Sequence, residues 1–343
     1  MKMVSKIFNE GLFLLVLTTG ILVVDIIAAE LPHIADQGEL LYVPSGIAVT
    51  LGGHAGNVSI DLIQLGLKIG DVSLASVVGN DVFGDFVERF LTERGVNVRL
   101  KRVEAPTSKN LILVVKGEDR RFHVDAGSNL FLDRDFVEEV VEELKPKVFY
   151  IGGAGMLGEF DYSLPEVLEN ARNIGALTFL DIVAPYGKDW GFFRNAIAHC
   201  DIFHCNLLEA SKITEEKDAF NALKSLKRLG CKFPIITMGD KGLMAIFKNT
   251  LIEMPAFKVN VVDPTGAGDA FCAGLILKLV EEPDYVENYT IEEIVDGLIL
   301  GSASGAVCCT AKGTTTSVRK EEVGALLKIQ LDGLRKNIKL REV

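Results

Sequence analysis

Residues 263–271 read Asp-Pro-Thr-Gly-Ala-Gly-Asp-Ala-Phe, two acids bracketing a glycine turn. Upstream, residues 257–262 alternate as a strand does; downstream, residues 270–280 carry apolar side chains at helical spacing. The turn is therefore expected where a strand passes into a helix. First-turn amides of a helix lack intrahelical partners and sit at the positive end of its dipole. Gly266 and Gly268 have no Cβ to hold a ligand away, so Gly266, Ala267 and Gly268 together read as an anion hole. Asp269, in the same first turn, is a helix cap in one reading. In the other it takes the proton from a hydroxyl that attacks a phosphate. Phosphoryl transfer from ATP to an alcohol needs such a base beside such donors.

Four further stretches accompany this string. Gly52-Gly53-His54-Ala55-Gly56-Asn57 runs into an apolar-periodic segment ending at Gly66, and residues 78–84 read Val-Gly-Asn-Asp-Val-Phe-Gly. Asn206-Leu207-Leu208-Glu209 and Thr237-Met238-Gly239-Asp240-Lys241-Gly242 follow. In kind and in order, these five segments resemble the landmarks of the ribokinase or PfkB family of carbohydrate kinases over nearly the whole chain. The resemblance implies an α/β fold: a ribokinase-like, doubly wound, mostly parallel sheet with helices on both faces and a small β-sheet lid. It also implies an ATP-dependent carbohydrate kinase, a phosphotransferase with an alcohol group as acceptor.

On that resemblance Asp269 is the general base, and Gly266, Ala267 and Gly268 stabilise the transferring phosphate. Asp25, Gly53 and Asn57 meet substrate hydroxyls; a carboxylate accepts hydroxyl hydrogens, and an amide both donates and accepts. Asp25 follows Gly20 at Gly-x-x-x-x-Asp spacing, with Val23 where many relatives carry Asn. Asn206 and Glu209 organise Mg²⁺ largely through water, and Thr237, Gly239 and Gly242 line the nucleotide. The loop carrying Gly313 and Ser317, with Asp263 and Thr265, suits K⁺. Arg121, with His123 nearby, is a further substrate contact for an anionic substituent. A solvated mixed-charge turn with Lys116, Glu118, Asp119 and Arg120 is the alternative there.

The chain otherwise alternates strands (72–78, 148–151, 178–181, 202–205, 235–238) with helices (85–94, 138–145, 164–174, 192–198, 219–229) and an apolar helix at 298–309. Such alternation gives a parallel sheet with ligands at the C-terminal ends of its strands, where Asp25, Asn206, Thr237 and the 263 turn are expected. Strand-like stretches at 40–43, 48–51, 111–115 and 121–124 break the pattern. Residues 30–51 and 105–126 are accordingly assigned to the lid, and 1–29, 52–104 and 127–343 to a large nucleotide- and substrate-binding domain. A lid keeps water from the phosphate, and in relatives it forms a dimer contact, so a homodimer through the lid is expected.

With 343 residues, 48% of them hydrophobic, the chain can bury a large core. Its net charge of −11 argues against a nucleic-acid partner. Lys2 and Lys6 precede an apolar run at 12–24, as in a signal peptide, but Thr18, Thr19 and Gly20 interrupt it and it reads as a buried strand, not a membrane span. Six cysteines without paired spacing fit a reducing cytoplasm. His199-Cys200 and His204-Cys205 offer zinc ligands, yet strand alternation points neighbours to opposite faces. Gly152-Gly153-Ala154-Gly155 does not make the Gly-x-Gly-x-x-Gly of a nicotinamide oxidoreductase, and Asp269 argues against a non-catalytic sugar or nucleotide sensor. The expected acceptor is a small sugar of ribose, fructose or keto-sugar type, with a nucleoside, sugar acid or sugar phosphate as alternatives.

Overall fold

The computed structural model describes residues 15–118, 120–281 and 283–343. Its strands are β1 (Val16–Gly20), β2 (Val23–Leu31), β3 (Ile47–Gly52), β4 (Val72–Gly79), β5 (Asn97–Val103), β6 (Lys109–Val115), β7 (Arg121–Asp125), β8 (Val148–Ala154), β9 (Leu177–Ile182), β10 (Ile202–Asn206), β11 (Phe233–Thr237), β12 (Leu243–Phe247), β13 (Thr250–Met254) and β14 (Lys339–Glu342). Its helices are α1 (His54–Leu65), α2 (Val82–Thr92), α3 (Arg134–Leu144), α4 (Leu164–Asn173), α5 (Phe193–His199), α6 (Leu207–Thr214), α7 (Ala219–Leu229), α8 (Ala267–Leu279), α9 (Ile291–Cys308) and α10 (Lys320–Lys336).

The large sheet runs β14-β13-β12-β11-β10-β9-β8-β1-β4-β5, parallel from β11 to β5 and antiparallel from β11 out to β14. Its central strands are buried on both faces and are accordingly mostly apolar, with Ser73, Ser76, Thr178 and Asp181 as buried polar exceptions. Helices α3 to α7 supply the core on one face; α1, α8, α9 and α10 supply it on the other, with α2 packed beyond α1. The strand order reverses between β1 and β8, and a crevice opens at the strand C-termini beside such a reversal.

A four-stranded sheet, β3-β2-β6-β7, covers that end. Cross-strand partners share a face, so Thr50, Asp25, Asn110 and Val124 form one row on the inner face, and Val49, Ile26, Leu111 and His123 form a row on the outer face. Arg121 pairs with Leu113 and also faces outward.

Several expectations are corrected. The run at 12–24 is not one strand. β1 stops at Gly20, where a Cβ would lie 1.8 Å from the Gly152 carbonyl oxygen, and β2 begins the small sheet. Residues 12–14, with Lys2 and Lys6, lie outside the described residues. Residues 23–29 therefore run in the lid, and Asp25 is on a lid strand instead of at the end of a large-sheet strand. Residues 257–262 form no strand; the amides of Val262 and Asp263 instead donate to the Cys309 carbonyl. Residues 40–43 form none either.

Candidate active site

Asp269 lies in the first turn of α8, buried, with Gly266 as the N-cap in a left-handed conformation (φ 81°). A Cβ on Gly266 would stand 2.7 Å from the Thr314 carbonyl oxygen, so this position admits only glycine. The Ala267 amide is turned back to the Pro264 carbonyl at 3.3 Å, which commits one of the three expected anion-hole donors. The first-turn position leaves the neighbouring amides without intrahelical partners.

The start of α1 delivers two side chains to Asp269. Asn57 Nδ2 donates to Asp269 Oδ2 at 2.7 Å, and its own Oδ1 accepts the Thr314 hydroxyl at 2.9 Å. His54 Nε2 is 3.9 Å from Asp269 Oδ1. Residues three apart share a helix face, which places both on the same carboxylate. Asn57 thus ties the acid to the Thr314 hydroxyl. Burial lifts the Asp269 pKa; His54 opposes this, Asp181 adds to it, and the net shift is upward. Burial pulls the His54 pKa down, but Asp269, Asp181 and Glu209 outweigh it and raise it overall.

Beneath this pair, Asp181 at the end of β9 is a hub. It accepts from the Tyr150 hydroxyl at 3.0 Å and the Ile182 amide at 3.0 Å, and it pairs with His204 Nδ1 at 3.0 Å. His204 Nε2 reaches the Thr237 hydroxyl at 3.2 Å, and its ring stacks on Phe271 with centroids 5.1 Å apart. Cys272 donates to Asp181 at 3.5 Å. Asp181, His204 and Cys272 thus bring ligand atoms within 4.8 Å of one another, a set that could hold a metal ion, while Cys205, the other member of the His204-Cys205 pair, packs into the core.

At the C-terminal ends of β10 and β11, Asn206 and Thr237 are side by side in register. Asn206 Oδ1 accepts from the Glu209 amide at 3.0 Å, and Glu209 Oε2 accepts from the Asn206 amide at 2.8 Å. The Asn-x-x-Glu element is thus a capping box for α6. Burial raises the Glu209 pKa. These oxygens, one side chain exposed and the other partly so, suit a hard cation met through water. Gly239 and Gly242 close the turn after β11, where the Met238 amide donates to the Gly242 carbonyl at 2.8 Å.

Asp25 is buried on the inner face of the lid and accepts from Asn110 Nδ2 at 3.2 Å. Burial pushes its pKa up to about 6. A Cβ at Gly52 would lie 2.2 Å from Asp25 Oδ2, so a side chain there would displace the carboxylate. Gly53 is the N-cap of α1. Between lid and turn is a cavity of about 370 Å³ whose walls include Asp25, Thr50, Ile112, Arg120, Asp263 and Thr265.

Arg121 does not enter this cavity: it pairs with Glu118, and His123 Nδ1 lies 3.3 Å from the Leu111 carbonyl on the outer face. Its neighbour Arg120 does enter, donating to Asp263 Oδ1 at 2.7 Å. Asp263 Oδ1 also accepts from the Thr265 amide at 2.9 Å and the Thr265 hydroxyl at 2.6 Å. Burial raises the Asp263 pKa, but these donors and Arg120 overturn that and hold it below the ordinary carboxylate value. The Gly313 amide faces Asp263 Oδ2 at 3.4 Å, and the Ser317 hydroxyl donates to the Val307 carbonyl at 2.8 Å. His54, Asn110, Arg120 and Asp181 were not assigned roles from the sequence. The signal for Asn110 is a polar residue inside an apolar alternation.

Residues 14–321 match the model of the pfkB family carbohydrate kinases. The chain belongs to the PfkB family of carbohydrate kinases and is a phosphotransferase of that ATP-binding, ribokinase-like kind. It is 27% identical over 304 residues to a fructokinase of Klebsiella pneumoniae, covering 82% of this chain and 91% of that one. It is also 27% identical over 286 residues to an aminoimidazole riboside kinase of Salmonella typhimurium, covering 78% and 84%. Among solved structures, a ribokinase from Giardia lamblia superposes with a TM-score of 0.79 at 22% identity, over 91% of this chain and 99% of that one. An ATP-bound fructokinase from Xylella fastidiosa gives 0.78 at 21% identity, over 92% and 98%. Among the described residues, no helix is long and apolar enough to cross a membrane.

Proposed function

We propose that the protein transfers the γ-phosphoryl group of ATP to a hydroxyl of a small sugar of ribose, fructose or keto-sugar type, with Asp269 as general base. The observation that carries this reading is the buried Asp269 at the glycine-capped N-terminus of α8, aimed by Asn57 at 2.7 Å and flanked by His54. An acid there would repel a phosphate unless it serves the attacking hydroxyl. Asp25 and Asn110 hold acceptor hydroxyls, and Gly53 lets the acceptor approach the α1 backbone. As the hydroxyl attacks in line, Asp269 takes its proton, and the amides at Gly266 and Gly268, with the helix dipole, stabilise charge on the phosphoryl oxygens. Thr237, Gly239 and Gly242 bound the nucleotide, and Asn206 and Glu209 would hold Mg²⁺ through water, where the metal neutralises phosphate charge. Closure of the small sheet keeps water from competing with the acceptor.

A nucleoside or another glycoside is a second reading. Ile27, Ile112, Val114, Val262 and Pro264 give the cavity an apolar wall, and one relative acts, by its name, on a riboside. A homodimer through the lid is supported by the exposed Ile47, Val49 and Leu111 on its outer face. The test is ADP formation across sugars, sugar acids, sugar phosphates, polyols and nucleosides with ATP and Mg²⁺. Turnover of a free sugar supports the primary reading, and turnover of nucleosides alone replaces it with the second. Nucleotide binding with no turnover of any acceptor would leave a sensor.

A further inference from the structure

We infer that the Arg120 guanidinium is a built-in cation for the 263–268 turn, taking the place expected for K⁺, so that the lid instead of a monovalent ion completes the phosphate site. This inference rests on the kinase reading above. A potassium site needs a ring of oxygen lone pairs turned toward an empty centre. The carboxylate expected in that ring, Asp263, is already met by a fixed positive charge. Asp263 Oδ1 receives the Arg120 guanidinium at 2.7 Å, the Thr265 amide at 2.9 Å and the Thr265 hydroxyl at 2.6 Å, while Oδ2 faces the Gly313 amide at 3.4 Å. The Thr265 carbonyl is met by the Cys308 thiol at 3.3 Å, and the same thiol lies 3.1 Å from the Thr314 carbonyl. The Ser317 hydroxyl donates to the Val307 and Cys308 carbonyls at 2.8 and 3.3 Å. Hydrogens from the Arg120 guanidinium and from Thr265 thus surround Asp263 Oδ1, the one carboxylate oxygen of the turn that is fully engaged. A metal ion there would also set a second positive charge against one carboxylate.

Arg120 has the position and chemistry for this task. It lies in the turn between β6 and β7 of the lid, whereas Asp263 begins the glycine turn of the large domain, so the ion pair crosses the mouth of the cavity. Both side chains are only about one-fifth exposed, at 21% and 20%, so the pair is less screened than one on the open surface. A second pair, Lys312 with Glu30 at 3.4 Å, spans the same gap. Through Asp263 the guanidinium fixes Thr265, and Thr265 leads directly into Gly266 and the amides that face the phosphate. Arg120 is therefore a positioning residue. Lid closure and completion of the anion hole become one event.

The test compares KCl, NaCl and tetramethylammonium chloride at equal ionic strength, by the melting temperature of the ligand-free protein and by initial rate with an acceptor that turns over. For the wild type, the same melting temperature and rates within about twofold are expected in all three salts. Arg120→Ala is expected to lose at least about tenfold in kcat, to gain a potassium-specific rise in melting temperature, and to regain part of its rate with low-millimolar guanidinium. Arg120→Lys keeps the charge without the planar fork and should fall between the two, with no response to potassium. Several-fold activation of the wild type by potassium over tetramethylammonium, or a potassium-specific rise in its melting temperature, would overturn the inference. So would an Arg120→Ala enzyme as fast as the wild type. If Arg120→Ala does not fold, the wild-type salt comparison decides alone. Absence of turnover with any acceptor counts against the kinase reading only, because the melting comparison does not depend on activity.

Discussion

Asp269 must be a carboxylate to accept a proton, and burial raises its pKa, so the acid limb of kcat/KM should lie above the ordinary aspartate value of about 4. The Asn57 hydrogen bond favours the charged form, so Asn57→Ala should move that limb to still higher pH, as a pH–rate profile would show. An unmoved or lowered limb would contradict the assignment. Asp25 offers a second titration. Its pKa of about 6 in the fold, against about 4 when unfolded, means that its contribution to stability is full below pH 4 and lost as pH rises through 6. Asp25→Asn should therefore raise the melting temperature at pH 7.5, lose that gain near pH 4, and raise the acceptor KM; calorimetry and steady-state kinetics check both. Short motifs made Asp269, Asn206 and Thr237 legible in the sequence. The choice between Arg120 and Arg121 was not legible, because one position along the chain decides which side of the lid a side chain serves, and pairing register fixes that. Asp181 and His204 are 23 residues apart and meet only because β9 and β10 pair.

The elements that hold the site depend on close helix contact. A Cβ on Gly301 of α9 would lie 2.7 Å from the Phe271 carbonyl of α8, and one on Gly274 of α8 would lie 2.6 Å from Ser304 Oγ. Gly301→Val should push these helices apart, costing about 1–3 kcal/mol or more and displacing the first turn of α8. Denaturant melts and the KM for ATP would both register it; an unchanged melt would mean that the helices shift without loss. Helix boundaries were largely legible because α3, α4 and α7 show one apolar face, and α7 matches its expected bounds of 219–229. The alternation at 257–262 misled. Period two marks an extended chain, but a strand also needs a ladder partner, and this segment is tied to the end of α9.

For the whole molecule, alternating strands and helices announced the parallel sheet, and its order reversal places the crevice. The antiparallel margin β12 to β14 and the passage of β2 into the lid were not legible, since no local pattern says which sheet a strand joins. Across the crevice, the large domain contributes Asp269, Asn206, Thr237 and the 263 turn, and the lid contributes Asp25, Asn110 and Arg120. In the proposed reaction Asp269 is the meeting point of acceptor and phosphate. The most direct test is Asp269→Asn, with nucleotide affinity from calorimetry and ADP formation measured on the best acceptor. A folded protein is expected, with ATP affinity within about threefold of wild type and turnover lower by about 10²–10⁴-fold. Turnover close to wild type in that folded variant would contradict that role for Asp269.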